Sequence, residues 1–112
     1  MIAAMPRLEI EHRDGRRAVV ELTGDAMVGK DPDNAICTAG DPFTSRRHAR
    51  FVATERGWHV QDLGSENGTL VNEERIDRDA ASAEPLAWRR TRTLVTGDVV
   101  RCGLTRLRFV ES

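Results

Sequence analysis

The chain is poor in cysteine, has no excess of either charge, no apolar run long enough to cross a bilayer and no sustained helical period. Each shortage removes a class of protein. Of 112 residues only Cys37 and Cys102 are cysteine. Both stand among Val, Ile or Thr in strand-like stretches, so buried reduced thiols are expected, with a disulfide as the alternative. His12 and His59 are scattered, so the ligand set of a metal centre is missing and no metal or other cofactor is expected. Lys and Arg number 17 against 18 Asp and Glu, a formal charge of -1. A duplex-binding domain would gather a basic excess on one face, so no nucleic-acid partner is expected. The start from Met1 to Met5 lacks the basic and apolar regions of a signal peptide. With no membrane-length run either, a cytoplasmic setting and no membrane partner are expected.

What is present is a period of two. Leu8 and Ile10, then Val20 and Leu22, alternate with charged residues around an Asp14-Gly15-Arg16 turn, which predicts a hairpin. Ala26 to Gly29 reads as a third strand. It is followed by the turn cluster Asp31-Pro32-Asp33-Asn34 and a brief strand from Ala35 to Cys37. Arg50 to Thr54 and Trp58 to Asp62 bracket Glu55-Arg56-Gly57, and Thr69 to Val71 and Arg75-Ile76 bracket Asn72-Glu73-Glu74. Val99 to Cys102 and Leu107 to Val110 bracket Gly103-Leu104-Thr105. No 3.6-residue period persists, although Asp79 to Trp88 has the composition for a helical turn or two before Pro85 limits it. Short strands spaced by Gly, Asp and Asn turns predict an all-β sandwich or barrel. The length predicts one domain over 1–112.

Two loops carry the chemistry. Ser45-Arg46-Arg47-His48-Ala49 offers a hydroxyl, two guanidiniums and an imidazole, a set suited to an oxyanion. Asp62-Leu63-Gly64-Ser65-Glu66-Asn67-Gly68-Thr69 offers turn residues and one side-chain amide, which can pair with the backbone of an extended peptide. Asn67 has a second reading, a left-handed residue in a tight turn before Gly68. A hydrolase built on Ser45, His48 and Asp62 would need flanking glycines and an oxyanion hole. Thr44-Ser45-Arg46 supplies neither, so no enzymatic activity is expected.

From about Ala26 to Val110 the chain resembles the forkhead-associated (FHA) domain, a phosphothreonine-peptide-binding module. Val28-Gly29-Lys30-Asp31-Pro32-Asp33-Asn34 is similar to its opening Gly-Arg loop, Ser45-Arg46-Arg47-His48 to its Ser-x-x-His motif, and Asp62 to Asn72 to its Asn-Gly segment. Gly97-Asp98-Val99-Val100 and Leu107-Arg108-Phe109 are similar to its closing hairpin. The resemblance implies an eleven-stranded, two-sheet antiparallel β-sandwich of the FHA/SMAD-like type. It implies a partner protein carrying phosphothreonine, a kinase substrate, with threonine favoured over serine. Lys30, Ser45 and Arg46 would hold phosphate, and Asn67 and Glu66 would meet the peptide. Gly29, His48 and Gly68 would support the pocket, His48 from inside.

Three positions depart from the family pattern. Lys30 replaces an Arg and loses its planar two-pronged grip. Glu66 stands where a small or basic residue is usual and would repel phosphate. Glu73 stands in a hairpin turn where Gly is frequent. The first two favour the alternative of a phosphate-independent docking module with a degenerate pocket. A Lys30 to Glu66 ion pair would close such a pocket when it is empty. The segment from Asp77 to Thr93 reads as an inserted loop, acidic first and basic later, with Trp88 and Arg89 as candidate contacts or as residues folded on the sandwich.

Overall fold

The computed structural model describes residues 5–76 and 90–111. The proposed helical turn at Asp79 to Trp88, and Trp88 and Arg89 themselves, lie outside them. Among the described residues eleven strands form two facing sheets: β1 (Arg7–Glu11), β2 (Arg17–Glu21), β3 (Ala26–Gly29), β4 (Ile36–Cys37), β5 (Ala49–Thr54), β6 (Gly57–Asp62), β7 (Thr69–Val71), β8 (Glu74–Arg75), β9 (Thr91–Thr93), β10 (Val99–Cys102) and β11 (Thr105–Val110). One sheet has the order β2-β1-β11-β10-β7-β8 and the other β4-β3-β5-β6-β9.

Alternation builds the core. Leu8 and Ile10 of β1 and Leu107 and Phe109 of β11 turn inward, Leu8 opposite Phe109 and Ile10 opposite Leu107. Val28, Phe51 and Val60 meet them from the other sheet, and Trp58 packs against the same cluster. Phe51 and Phe109 are at most 1% exposed. Truncating side chains so enclosed costs about 3–5 kcal/mol each, so the sandwich rests chiefly on these few residues.

The structure corrects the expectation in three places. The five-stranded sheet is mixed, because β3 and β4 run parallel, with Val28 beside Ile36 and Gly29 beside Cys37. The Asp31-to-Asn34 turn, closed by Asn34 N donating to the Asp31 carbonyl at 3.1 Å, folds the chain out and back so that it resumes its former direction. Cys37 is exposed and only Cys102 is buried, both as free thiols. In the two-residue strand β4 Ile36 takes the inward face, and alternation leaves Cys37 outside. Finally, the last three residues of the expected 77–93 loop are β9, which pairs with β6 through His59↔Thr93 and Gln61↔Thr91.

Candidate functional site

Three connections meet beside the ends of β3, β5 and β6: residues 30–35, 38–48 and 63–68. His48 binds them together from within. It is fully buried, and its Nδ1 accepts the Ser45 backbone N–H at 3.1 Å. That leaves the ring proton on Nε2, which donates to the Gly68 carbonyl at 2.8 Å. Its own backbone joins the lattice, with His48 N donating to Val28 O at 2.8 Å and Leu63 N to His48 O at 3.0 Å. Gly68 has φ +86, a conformation that suits glycine and aims its carbonyl at the imidazole.

The first two connections are stitched at Arg46. Its carbonyl accepts the Asp31 N–H at 3.1 Å and Asn34 Nδ2 at 2.7 Å, and Lys30 N donates to the Ser45 carbonyl at 3.0 Å. Gly29 makes this approach possible. A Cβ there would stand 2.1 Å from the Arg46 carbonyl oxygen. Ser45 thereby has its backbone held on both sides, and its hydroxyl oxygen accepts the Glu66 N–H at 3.1 Å from the third connection. With a lone pair used in this way, the hydroxyl proton remains to be donated outward.

Among the described residues no ion pair engages Lys30, Arg46 or Glu66, so the expected Lys30–Glu66 pair does not form. Arg46, Arg47 and Glu66 are exposed and Lys30 half-buried. Arg47 lies along β3 instead, its Nη1 3.7 Å from the Met27 sulfur. Asn67 does not take the tight-turn conformation, for it is not among the positive-φ residues. Its Nδ2 donates to the Phe43 carbonyl at 2.9 Å, and its Oδ1 accepts nothing from a described residue.

Two buried carboxylates that sequence reasoning assigned no structural role hold the site in place. Asp41 accepts Phe43 N at 2.9 Å, Leu104 N at 2.7 Å and Thr105 Oγ1 at 2.8 Å, tying the loop before Ser45 to the β10–β11 turn of the opposite sheet. Asp62 accepts Gly64 N at 2.9 Å, Ser65 N at 3.1 Å, the Ser65 hydroxyl, and Thr69 Oγ1 at 2.8 Å, shaping the loop that carries Glu66 and Asn67. Bonds to a charged group contribute about 1.5–3 kcal/mol each, enough to order short loops. Asn34 belongs with them. The only signal in the sequence was an Asp or Asn at a loop start, a habit of turns generally. Asp62 and His48 are engaged with different partners, so Ser45, His48 and Asp62 do not form a nucleophile–base–orienter chain.

A two-sheet β-sandwich whose inter-strand loops converge on a serine hydroxyl, a buried histidine and an outward asparagine amide defines a class of binding module rather than a fold alone. The family model described as the FHA domain matches residues 26–103, and the chain belongs to that family. It is 37% identical over 82 residues to the glycogen accumulation regulator GarA of Mycobacterium tuberculosis, covering 73% of this chain and 42% of GarA. To the oxoglutarate dehydrogenase inhibitor of Corynebacterium diphtheriae it is 36% identical over 83 residues, covering 74% of this chain and 48% of the inhibitor. The matched region thus spans less than half of either relative. Among solved structures, the FHA domain of CT664 from Chlamydia trachomatis superposes with a TM-score of 0.76 at 25% identity, covering 96% of this chain and 98% of that one. M. tuberculosis EmbR in complex with a low-affinity phosphopeptide gives 0.74 at 28% identity, covering 97% of this chain and 25% of EmbR.

Proposed function

We propose that this FHA domain binds protein segments containing phosphothreonine, the products of a Ser/Thr kinase, and acts in signalling or regulation as a cytoplasmic binding module, not as an enzyme. The observation that carries the reading is Ser45. Its backbone is clamped by Lys30 N and the His48 ring, its hydroxyl oxygen accepts the Glu66 N–H, and the same loops carry Lys30 and Arg46, neither in an ion pair among the described residues. Such a group donates to a phosphate oxygen, Lys30 and Arg46 neutralise the phosphate, and the open Oδ1 of Asn67 accepts an N–H from the extended peptide beyond it. Gly29, His48 and Gly68 keep the three loops at the spacing this requires. EmbR, a structural neighbour, has a solved structure in complex with a low-affinity phosphopeptide, and GarA is named as a regulator. Among the described residues no helix is long and apolar enough to cross a membrane.

Calorimetric titration with one peptide in phosphorylated and plain form tests the reading. Phosphorylated peptide should bind more tightly, and Ser45→Ala should weaken it about tenfold or more by removing one charge-assisted bond. Lys30→Arg should tighten binding by restoring a two-pronged grip, and Glu66→Thr should do so more at low salt than at high salt. Equal affinity for both peptides would favour the phosphate-independent docking module, the reading to which the free carboxylate of Glu66 points.

A further inference from the structure

The outer edge of β2 has the features of a self-pairing surface. In its sheet β2 neighbours β1 alone, and among the described residues nothing pairs with its other side. Leu22 N donates to Pro6 O and His12 N to Arg16 O, both at 2.8 Å, at the two ends of a ladder running from Arg7↔Glu21 to Glu11↔Arg17. Antiparallel ladders alternate, so Ala18 and Val20 direct their backbone groups toward β1, while Arg17, Val19 and Glu21 direct theirs outward. These three residues are exposed, Val19 by 62%, whereas Val20 packs against the core.

Edge strands are normally guarded by shortness, proline, a bulge or repelling charge. The five-residue strand Arg17-Ala18-Val19-Val20-Glu21 has no proline, and its charges are opposite in sign and symmetric about Val19. β4 and β8, with two residues each, and β9, with three, offer much shorter edges. We propose that β2 pairs with β2 of a second copy of this chain across a two-fold axis at Val19. In that register Arg17 stands opposite the partner's Glu21 and Val19 opposite the partner's Val19. Each pair uses the outward-facing backbone groups and can exchange two N–H···O bonds. The charge order that would repel an in-register parallel copy attracts an antiparallel one, which is why a second copy fits this edge better than an arbitrary strand. A strand-to-strand contact of this length buries much less than the roughly 1,200 Å² of a stable interface, so the dimer is weak, with Kd of micromolar to millimolar order.

Sedimentation velocity from about 10 µM to about 1 mM, a range set by that affinity, should show a monomer–dimer equilibrium. Arg17→Glu alone and Glu21→Arg alone each place like charges opposite one another and should weaken association about tenfold or more. Mixing the two variants should restore it, because their edges are mutually complementary. Val19→Pro removes only an outward N–H, so it spares the β1 ladder and should abolish dimerisation with the fold retained by circular dichroism. A chain that stays monomeric at about 1 mM overturns the proposal. So does self-association indifferent to Val19→Pro, or folded single-charge variants that associate like the parent or fail to recombine on mixing.

Discussion

At the scale of one residue, Glu73 shows how a local rule is broken and compensated. The β7–β8 hairpin closes with Val71 opposite Glu74, leaving Asn72 and Glu73 as a two-residue turn with φ of 51° and 68°. Turns of this kind favour Asn-Gly, and a side chain in the left-handed region costs about 1–2 kcal/mol. Glu73 meets Arg101 in return. Nε and Nη2 of the guanidinium reach its carboxylate at 3.0–3.1 Å. The carboxylate side chain is 62% exposed, so the pair contributes at most about 1 kcal/mol. Glu73→Ala and Glu73→Gly both lose the pair, but only Gly relieves the backbone. In urea denaturation the Gly variant should therefore exceed the Ala variant by about 1 kcal/mol, and equal midpoints would show that the turn is unstrained.

At the scale of elements, His59 ties three strands. On β6, its Nε2 meets Thr54 Oγ1 of β5 at 2.7 Å and its Nδ1 meets Thr93 Oγ1 of β9 at 3.0 Å. Burial lowers its pKa below the ordinary 6.5, and the charge of Arg56 lowers it further. The unfolded chain then holds more protons than the folded one below about pH 6.5. Stability from this group is complete above that value and is lost as the pH falls toward the depressed folded pKa. Melting temperature should fall from about pH 7.5 to 5.5, and the fall should be smaller in His59→Gln. A variant with the full pH slope would assign the effect to other groups.

At the scale of the molecule, the two sheets are joined by packing and by Asp41, whose carboxylate reaches Leu104 and Thr105 across the sandwich. Cys102 lies fully enclosed between the sheets, and burial, with the nearby charge of Asp62 adding to it, pushes its thiol up to about 12. Exposed Cys37 needs no opening to be reached. Native protein should thus take up one equivalent of an alkylating reagent at Cys37, and Cys102 should react only at the rate of global unfolding. Fast labelling of Cys102 in Cys37→Ser would show that the sandwich opens locally at β10.

The hairpins were legible because period-two alternation and Gly, Asp and Asn turns are properties of a few adjacent residues, and the candidate site loops because their motifs are equally short. Ser45, His48 and Asn67 could be picked out in this way, as could the strand pairs β1–β2, β5–β6 and β10–β11. What the linear chain did not contain was adjacency. The parallel seat of β4 beside β3, the joining of β9 to β6 and the solvent side of Cys37 each depend on which strand lies next to which. Asp41 could not be recognised as a clamp because its partners, Leu104 and Thr105, are 63 and 64 positions away. The open edge of β2 is likewise a consequence of strand order. Local chemistry, carried by a few neighbouring residues, determined the elements and the motif loops. Long-range pairing, which no single segment encodes, decided which of those residues face one another, face the core or face solvent.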